Sequence, residues 1–165
     1  MPFRKLILAI NPGSSSTKIG IYQNKIPIFT KNISHDIKEL KKFKKISDQY
    51  RFRKDIILNE LKQAEIDLDQ VAAIVGRGGL VKPIPSGVYF VNEKLRHDLI
   101  HNTIREHASN LGGLIADELA NSLPNAKAYI IDPIVVDEFE ELARVSGHPL
   151  FKRISIFHAL NQKAV

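Results

Sequence analysis

The feature that most constrains the fold is an apolar strand that runs into a polar turn and then into a second strand. Leu6–Ile10 is a continuous apolar run, which is typical of a strand buried on both faces. It ends at Asn11–Gly13, where proline removes a backbone donor and glycine permits a tight reversal. Four hydroxyl residues follow, Ser14–Thr17, and Lys18–Tyr22 resumes a pattern rich in β-branched and aromatic residues. The sequence therefore predicts a β-hairpin whose tip can hold phosphate oxygens.

This hairpin differs from a Walker P-loop in two respects. A P-loop places its lysine before the hydroxyl residue and leads into a helix, whose N-terminus supplies part of the anion site. Here Lys18 follows the hydroxyls, and the next residues predict a strand. An ordinary serine-rich hairpin turn is the alternative interpretation, and the residues of the turn alone leave both open.

Two further apolar runs also end in polar residues. Val71–Val75 is followed by Gly76–Gly79, which contains Arg77, and Ala128–Ile131 is followed by Asp132. If these strands run parallel to the first, the three polar clusters meet at one edge of a sheet. Hydroxyls and amides that cradle phosphate, a guanidinium that spreads charge and a carboxylate are the groups that phosphoryl transfer requires.

The remaining segments complete an order of βββαβ(α)αβα. Ile26–Thr30 is predicted as a third strand of the opening hairpin. Helices are predicted where apolar residues recur at helical spacing after residues that favour N-caps. They run from Asp36 to about Glu65 with a possible break near Ser47 and Asp48, from Asn92 through Leu99, from Ser109 or Asn110 to Pro124, and from Phe139 to Val145 behind an Asp137/Glu140 capping box.

Length and composition narrow the class of protein. A chain of 165 residues can bury one substantial core but is too short for two full domains. It has no cysteine, and no apolar run near the start is long enough for a signal peptide or a membrane span, so a cytoplasmic protein with no membrane partner is expected. Asp36–Asp55 holds eight Lys/Arg and four Asp/Glu, hence +4 of the net +6. A solvated basic helix face is the favoured interpretation, and nucleic-acid or anionic-surface binding is the alternative.

Four segments of the sequence resemble motifs of a known family. Asn11–Lys18 resembles the opening signature of the acetate kinase family, within the superfamily of acetate kinases, sugar kinases, Hsp70 and actin. Gly76–Tyr89, Glu106–Gly112 and Ile156–Ala164 look more specifically like butyrate kinases. The resemblance implies an α/β, ribonuclease-H-like (actin-like ATPase) domain of order βββαβαβα, with a five-stranded mixed sheet and helices on both faces.

The resemblance also implies an activity and its residues. Butyrate kinases interconvert butanoate plus ATP with butanoyl phosphate plus ADP, by direct in-line transfer with Mg²⁺. By position, the catalytic residues are Arg77, Asp132, His107 and His158; the phosphate-binding residues are Asn11, Ser14, Ser16 and Lys18; and Asn11 and Asp132 would hold Mg²⁺, directly or through water. The other histidines, His35, His97, His101 and His148, are expected to face solvent.

An acyl chain longer than acetate needs an apolar slot, in which each buried methylene is worth about 0.8 kcal/mol. Four apolar residues beside the candidate polar groups are hypothesised to line it: Leu80, Val81, Pro83 and Ile134.

The chain departs from the family by its length. Residues 1–165 are expected to form a single N-terminal acyl-kinase domain, with about 153–165 starting the hinge to a second domain that holds most of the adenosine site. Such a half should be inactive alone, belong to a homo-oligomer in the full enzyme, and self-associate through apolar residues near its end, namely Ile154, Ile156, Phe157 and Leu160. The alternatives are a fragment of an acetate, propionate or branched-chain fatty acid kinase, and a non-catalytic domain of the same fold.

Overall fold

The computed structural model describes residues 5–101 and 106–156. Its centre is a six-stranded sheet of order β3-β2-β1-β4-β6-β5. Strands β1, β4 and β6 are parallel, whereas β2, β3 and β5 pair antiparallel to their neighbours. The strands are β1 Leu6–Pro12, β2 Ser16–Gln23, β3 Ile26–Ser34, β4 Val71–Arg77, β5 Val88–Phe90 and β6 Lys127–Ile131. The predicted opening hairpin and the parallel arrangement of the three apolar strands are therefore confirmed.

Four helices and three short 3₁₀ turns accompany the described part of the sheet. The helices are α1 Ile37–Leu40, α2 Tyr50–Gln63, α3 Glu93–His101 and α4 Asn110–Ser122, and the 3₁₀ turns are Ser47–Gln49, Leu68–Gln70 and Glu141–Arg144. The predicted break near Ser47 is confirmed and is wider than expected, since α1 ends at Leu40. Asn92 caps α3 as predicted, because its Oδ1 accepts a hydrogen bond of 2.9 Å from the backbone N–H of Leu95.

Two expectations about the elements were wrong. The sheet has a sixth strand, the edge strand β5, whose three residues follow a run interrupted by prolines and are too few to show a period. The helix predicted from Phe139 to Val145 is only the 3₁₀ turn Glu141–Arg144. The Asp137 carboxylate accepts from the Phe139 N–H and from Arg144 instead of capping a helix, and this local turn competes with helix formation.

The core lies on one face of the sheet. Inward residues alternate along the strands, as Leu6, Leu8 and Ile10 do in β1, and they pack against buried residues of α2 and α4. Helix α4 lies very close to β4: a Cβ placed on Gly76 would come within 2.2 Å of the carbonyl carbon of Gly112. Only glycine at this position permits that separation of helix and strand.

A cleft lies against the opposite face of the sheet, and the described residues that line it belong to strands and to the segment after β6, with no helical residue among them. Small side chains at its centre, Ala9, Gly20 and Val75, leave a broad cleft. Helices on both faces were expected, and within 5–101 and 106–156 the helices that join the core do so on one face only. No helix in these ranges combines the length and the apolar character needed to cross a bilayer.

Candidate functional site

The ends of the three parallel strands meet at one end of this cleft, which has a volume of about 840 Å³. Parallel strands present their carboxyl ends at the same edge of a sheet, which is where open α/β sheets bind ligands. The structure brings together five of the residues predicted from the sequence to form the site, and all five line the cleft: Asn11, Lys18, Arg77, Asp132 and Ile134.

Asn11, Lys18 and Arg77 provide the polar wall of the cleft. Asn11 of β1 is directly opposite Lys18 of β2 in the antiparallel ladder, so their side chains share a face. Arg77 is the last residue of β4, its side chain is exposed, and it forms no ion pair with any residue in the described ranges. An unpaired guanidinium at the end of a strand is available to bind a carboxylate or a phosphate.

Asp132 follows β6 in a conformation that non-glycine residues seldom adopt, with a φ of 41°. Two hydrogen bonds to Gly87 hold it there: the Asp132 N–H donates to the Gly87 carbonyl at 3.1 Å, and the Gly87 N–H donates to Asp132 Oδ1 at 2.9 Å. The second carboxylate oxygen, Oδ2, has no hydrogen-bond partner within the described part of the chain. The carboxylate is thus fixed by one oxygen and open at the other.

His107 lies just before α4 and outside the lining of the cleft. Its Nδ1 accepts from the Ser109 N–H at 3.1 Å and is 2.8 Å from Ser109 Oγ. A Cβ on Gly78 would lie 3.3 Å from Ser109 Cβ and 3.5 Å from Ile134 Cγ2, so the partner of His107 borders the wall of the cleft. His158 lies outside the described residues.

Ser14 and Ser16 occupy the tip of the β1–β2 hairpin rather than the cleft lining. Ser14 is exposed and Ser16 is half-buried.

The hypothesised acyl slot is only partly supported by the positions of its residues. Leu80 and Val81 are 0% and 4% exposed and belong to a second core cluster, and Pro83 is on the surface, so none of the three lines the cleft. Their run of apolar residues was the signal of a core segment rather than of a ligand pocket. Ile134 does line the cleft, and the apolar neighbours that join it are Val75, Ile131, Pro133 and Val136.

The sequence interpretation missed a buried arginine behind the hairpin. Arg53 of α2 is fully buried, and its guanidinium donates to three main-chain carbonyls of the hairpin, those of Gly13 at 2.7 Å, Ser14 at 2.9 Å and Ser16 at 3.1 Å. It also donates to Gln49 Oε1 at 2.8 Å. Burial lowers the pKa of Arg53 to about 10, so it remains a cation at neutral pH.

A signal for this burial existed in the sequence. Arg53 lies three residues after Tyr50 and four before Ile57, and so falls on the apolar stripe of α2. A charge on such a stripe is buried only when it is well bonded. The +4 charge of Asp36–Asp55 is correspondingly less available than the count suggests, because Arg53 is inside and Arg51 lies 3.8 Å from Glu118, which is outside the segment.

His35 was wrongly expected to face solvent. It is 5% exposed, its Nε2 is 2.8 Å from Thr17 Oγ1, and its Nδ1 has no hydrogen-bond partner in the described ranges. Burial and the nearby charge of Arg53 lower the pKa of His35 to about 4, so the imidazole is neutral at pH 7. The other three histidines expected at the surface are exposed: His97, His101 and His148.

The residues expected to form an exposed apolar patch are divided. Ile154 is exposed, whereas Ile156 is half-buried against the second core cluster. Phe157 and Leu160 lie outside the described residues.

Known sequences resembling this chain include butyrate kinases. It is 55% identical over 159 residues to a probable butyrate kinase of Bacteroides thetaiotaomicron, and 54% and 52% identical over the same length to butyrate kinases 1 and 2 of Clostridium acetobutylicum. Each alignment covers 96% of this chain and 44% of the relative, so the chain spans less than half the length of the curated relatives that it matches. No family model matches the chain.

Solved structures with a similar fold include acetate and propionate kinases. They include acetate kinases of Porphyromonas gingivalis (TM-score 0.63, 14% identity, 96% of this chain and 46% of that one) and Entamoeba histolytica (0.57, 15%, 98% and 44%). A propionate kinase of Francisella tularensis also matches (0.54, 14%, 88% and 41%). These TM-scores establish a common fold, and at 14–15% identity the likeness shows the fold alone. By sequence this chain is therefore a relative of the N-terminal part of butyrate kinases, and it has the fold of the acetate and propionate kinases.

Proposed function

We propose that the chain is the N-terminal half of a butyrate kinase, which transfers a phosphoryl group between ATP and butanoate. The observation that carries this proposal is the convergence of Asn11, Arg77 and Asp132 on one cleft with an apolar wall. The identity of 52–55% to butyrate kinases over 96% of the chain supports it.

Arg77 has the central role in this proposal. Its unpaired guanidinium would bind the carboxylate of butanoate, or the acyl phosphate in the reverse direction, through two parallel hydrogen bonds. As charge spreads over the equatorial oxygens of the transferring group, the same cation stabilises the transition state. Asn11 on the adjacent strand β1 and Lys18 on β2, one strand further, would add an amide and a charge toward the phosphates.

The polar residues of the cleft fit a magnesium ion. The described ranges contain no group of three or more His, Cys, Asp or Glu that could hold a metal without further ligands. Mg²⁺ usually takes one or two carboxylates together with water and substrate phosphates. Asp132 has a carboxylate oxygen without a partner among the described residues, and Asn11, whose side chain carries an amide oxygen, lines the same cleft. When bound, the ion would neutralise phosphate charge.

His107 and His158 are proposed to contact the transferring phosphoryl group. The support for His107 is its place before α4, where Ser109 borders the cleft wall. For His158 the support is the resemblance alone. Ser14 and Ser16 are proposed to face the nucleotide phosphates from the hairpin tip.

The apolar wall of the cleft favours a substrate with a short acyl chain, and we propose the four-carbon chain of butanoate. Val75, Ile131 and Ile134 line the cleft and are placed to contact methylene groups. Butanoate is preferred because the sequence relatives are butyrate kinases, and an acetate, propionate or branched-chain fatty acid kinase is the second candidate. The absence of cysteine fits a cytoplasmic enzyme.

We propose that these 165 residues alone are inactive, because they match only 44% of the length of the butyrate kinases and the adenosine site would lie in the part that they do not match. The test is hydroxamate trapping of the acyl phosphate with butyrate, ATP and Mg²⁺. One sample is the chain alone, and the other is the chain fused to the region of C. acetobutylicum butyrate kinase 1 that it does not match. Activity from the fusion only is the expected result. An inactive but folded fusion would favour the non-catalytic alternative.

A further inference from the structure

The hairpin loop of residues 13–16 has an unequal distribution of hydrogen bonds. All four of its carbonyls accept from protein donors: Gly13, Ser14 and Ser16 from Arg53, and Ser15 from the His35 N–H at 2.9 Å. The Gly13 N–H is also used, because it donates to the Ser16 carbonyl at 2.7 Å. By contrast, the N–H groups of Ser14 and Ser15 have no partner among the described residues. The loop thus presents donors and keeps its acceptors engaged.

The peptide geometry explains how Arg53 produces this arrangement. In a planar trans peptide, the carbonyl of one residue and the N–H of the next point in opposite directions. Arg53 holds the carbonyls of Gly13 and Ser14 toward the interior. The N–H groups of Ser14 and Ser15 must then point away from Arg53, toward the side on which both residues are exposed.

The charge of Arg53 adds to this effect. The guanidinium is fully buried and forms no ion pair with a carboxylate in the described ranges, so the oxygens that balance its charge there are neutral ones: three main-chain carbonyls, Gln49 Oε1 and Thr17 Oγ1. Keeping an unpaired cation there is costly for stability. Successive outward N–H groups above a buried cation form a concavity that favours an anion.

We propose that Arg53 is the positioning residue of this loop, holding the carbonyls of Gly13, Ser14 and Ser16 so that the N–H groups of Ser14 and Ser15 bind a phosphoryl oxygen. The identification of that anion with a substrate phosphate rests on the proposed function. The loop's preference for a phosphate does not, and it can be measured on this chain without any kinase activity.

The test is a titration of the ¹⁵N-labelled chain with inorganic phosphate, following the amide signals of Ser14 and Ser15. In the wild type these signals should shift saturably. Arg53→Lys keeps the charge but cannot reach three carbonyls at once, and we expect its affinity for phosphate to fall by at least about tenfold. Gln49→Leu removes the far-side partner of the guanidinium and should give a smaller loss. If Arg53→Lys does not fold, the phosphate affinity of Gln49→Leu is the measurement that tests the role of Arg53.

The matched control is Ile57→Ala, which lies one turn along the same face of α2 and creates a core cavity without removing any hydrogen bond to the loop of residues 13–16. It should lose stability, measured by urea unfolding, and bind phosphate as the wild type does. The inference is overturned if Arg53→Lys binds phosphate normally, if Ile57→Ala loses as much affinity as Arg53→Lys, or if the wild-type amides do not respond. Phosphate binding with an inactive fusion would instead refute the kinase proposal and leave the role of Arg53 intact.

Discussion

At the scale of single residues, His35 and Arg53 place an imidazole and a cation in positions that apolar side chains usually occupy. His35 is buried, its Nδ1 has no hydrogen-bond partner in the part of the chain that the structure describes, and its neighbours include Thr17, Arg53 and the ring of Phe52 at 6.0 Å. A proton on this imidazole would be desolvated and close to a second positive charge. The folded state therefore requires His35 to be neutral.

This requirement predicts a specific loss of stability in acid. The pKa of His35 is about 4 when folded against 6.5 ordinarily. Between these two pH values the unfolded imidazole binds a proton and the folded one does not, so protonation favours the unfolded state. The free energy of unfolding is therefore unaffected by His35 above pH 6.5, decreases as the pH falls toward 4, and is lowered no further by His35 below that. The total decrease is roughly 3 kcal/mol. Urea unfolding at a series of pH values should show His35→Gln lacking this part of the wild-type slope. His148→Gln, an exposed control, should parallel the wild type, and a His35→Gln curve that also does so would contradict the assignment.

The position of Ile134 predicts control over acyl chain length. Ile134 lines the cleft, whereas Val81 is buried in the second core cluster. In the fused enzyme, Ile134→Phe should raise the KM for butyrate more than the KM for acetate, because the larger ring shortens the slot. Val81→Ile should leave the ratio of the two KM values unchanged. Equal effects of Ile134→Phe on the KM values of both substrates would contradict the placement of Ile134 in the acyl site.

At the scale of elements, the contact of α4 with β4 fixes the position of the site. Gly76 precedes Arg77, and the backbone of Gly112 in α4 lies against it. The packing of α4 therefore fixes the position of the end of β4, which carries Arg77. The pattern of apolar residues predicted both β4 and α4. It could not predict that Gly76 and Gly112, which are far apart in the sequence, are in contact.

A methyl group at Gly76 should break this contact. Gly76→Ala would place Cβ 2.2 Å from Gly112 C and 2.3 Å from its carbonyl oxygen, and neither backbone atom can rotate away. We expect a loss of at least about 3 kcal/mol in the free energy of unfolding, measured with urea. Gly13→Ala is the control, since its Cβ would be an ordinary 3.5 Å from the nearest atom. Similar stabilities of the two variants would argue against the close packing of helix and strand.

The elements that the sequence predicted correctly are those with a local signal. The apolar runs of β1, β4 and β6 and the Asn92 cap are properties of consecutive residues. The edge strand β5 was missed because its pairing with β6 is a tertiary contact. The prediction of a helix after Asp137 was wrong because Arg144 donates hydrogen bonds to the Asp137 carboxylate, which then does not cap a helix.

At the scale of the whole molecule, the sheet order brings together residues that are far apart in the sequence. Asn11, Arg77 and Asp132 share a cleft because β1, β4 and β6 are adjacent and parallel. Their convergence was predictable once the strands were taken as parallel. The burial of Leu80 and Val81 was not, since it depends on how α3 and α4 pack behind β4.

The most direct test of the proposed site is the kinase activity of the fused enzyme carrying Arg77→Gln. Arg51→Gln is the matched control, because Arg51 is an exposed arginine of α2 that lies 3.8 Å from Glu118. Hydroxamate trapping should show that Arg77→Gln lowers kcat/KM for butyrate by about a hundredfold or more, as expected for losing a charge-assisted contact to the transferring group. Arg51→Gln should retain nearly all activity. Wild-type activity in a folded Arg77→Gln enzyme would contradict the placement of phosphoryl transfer in this cleft.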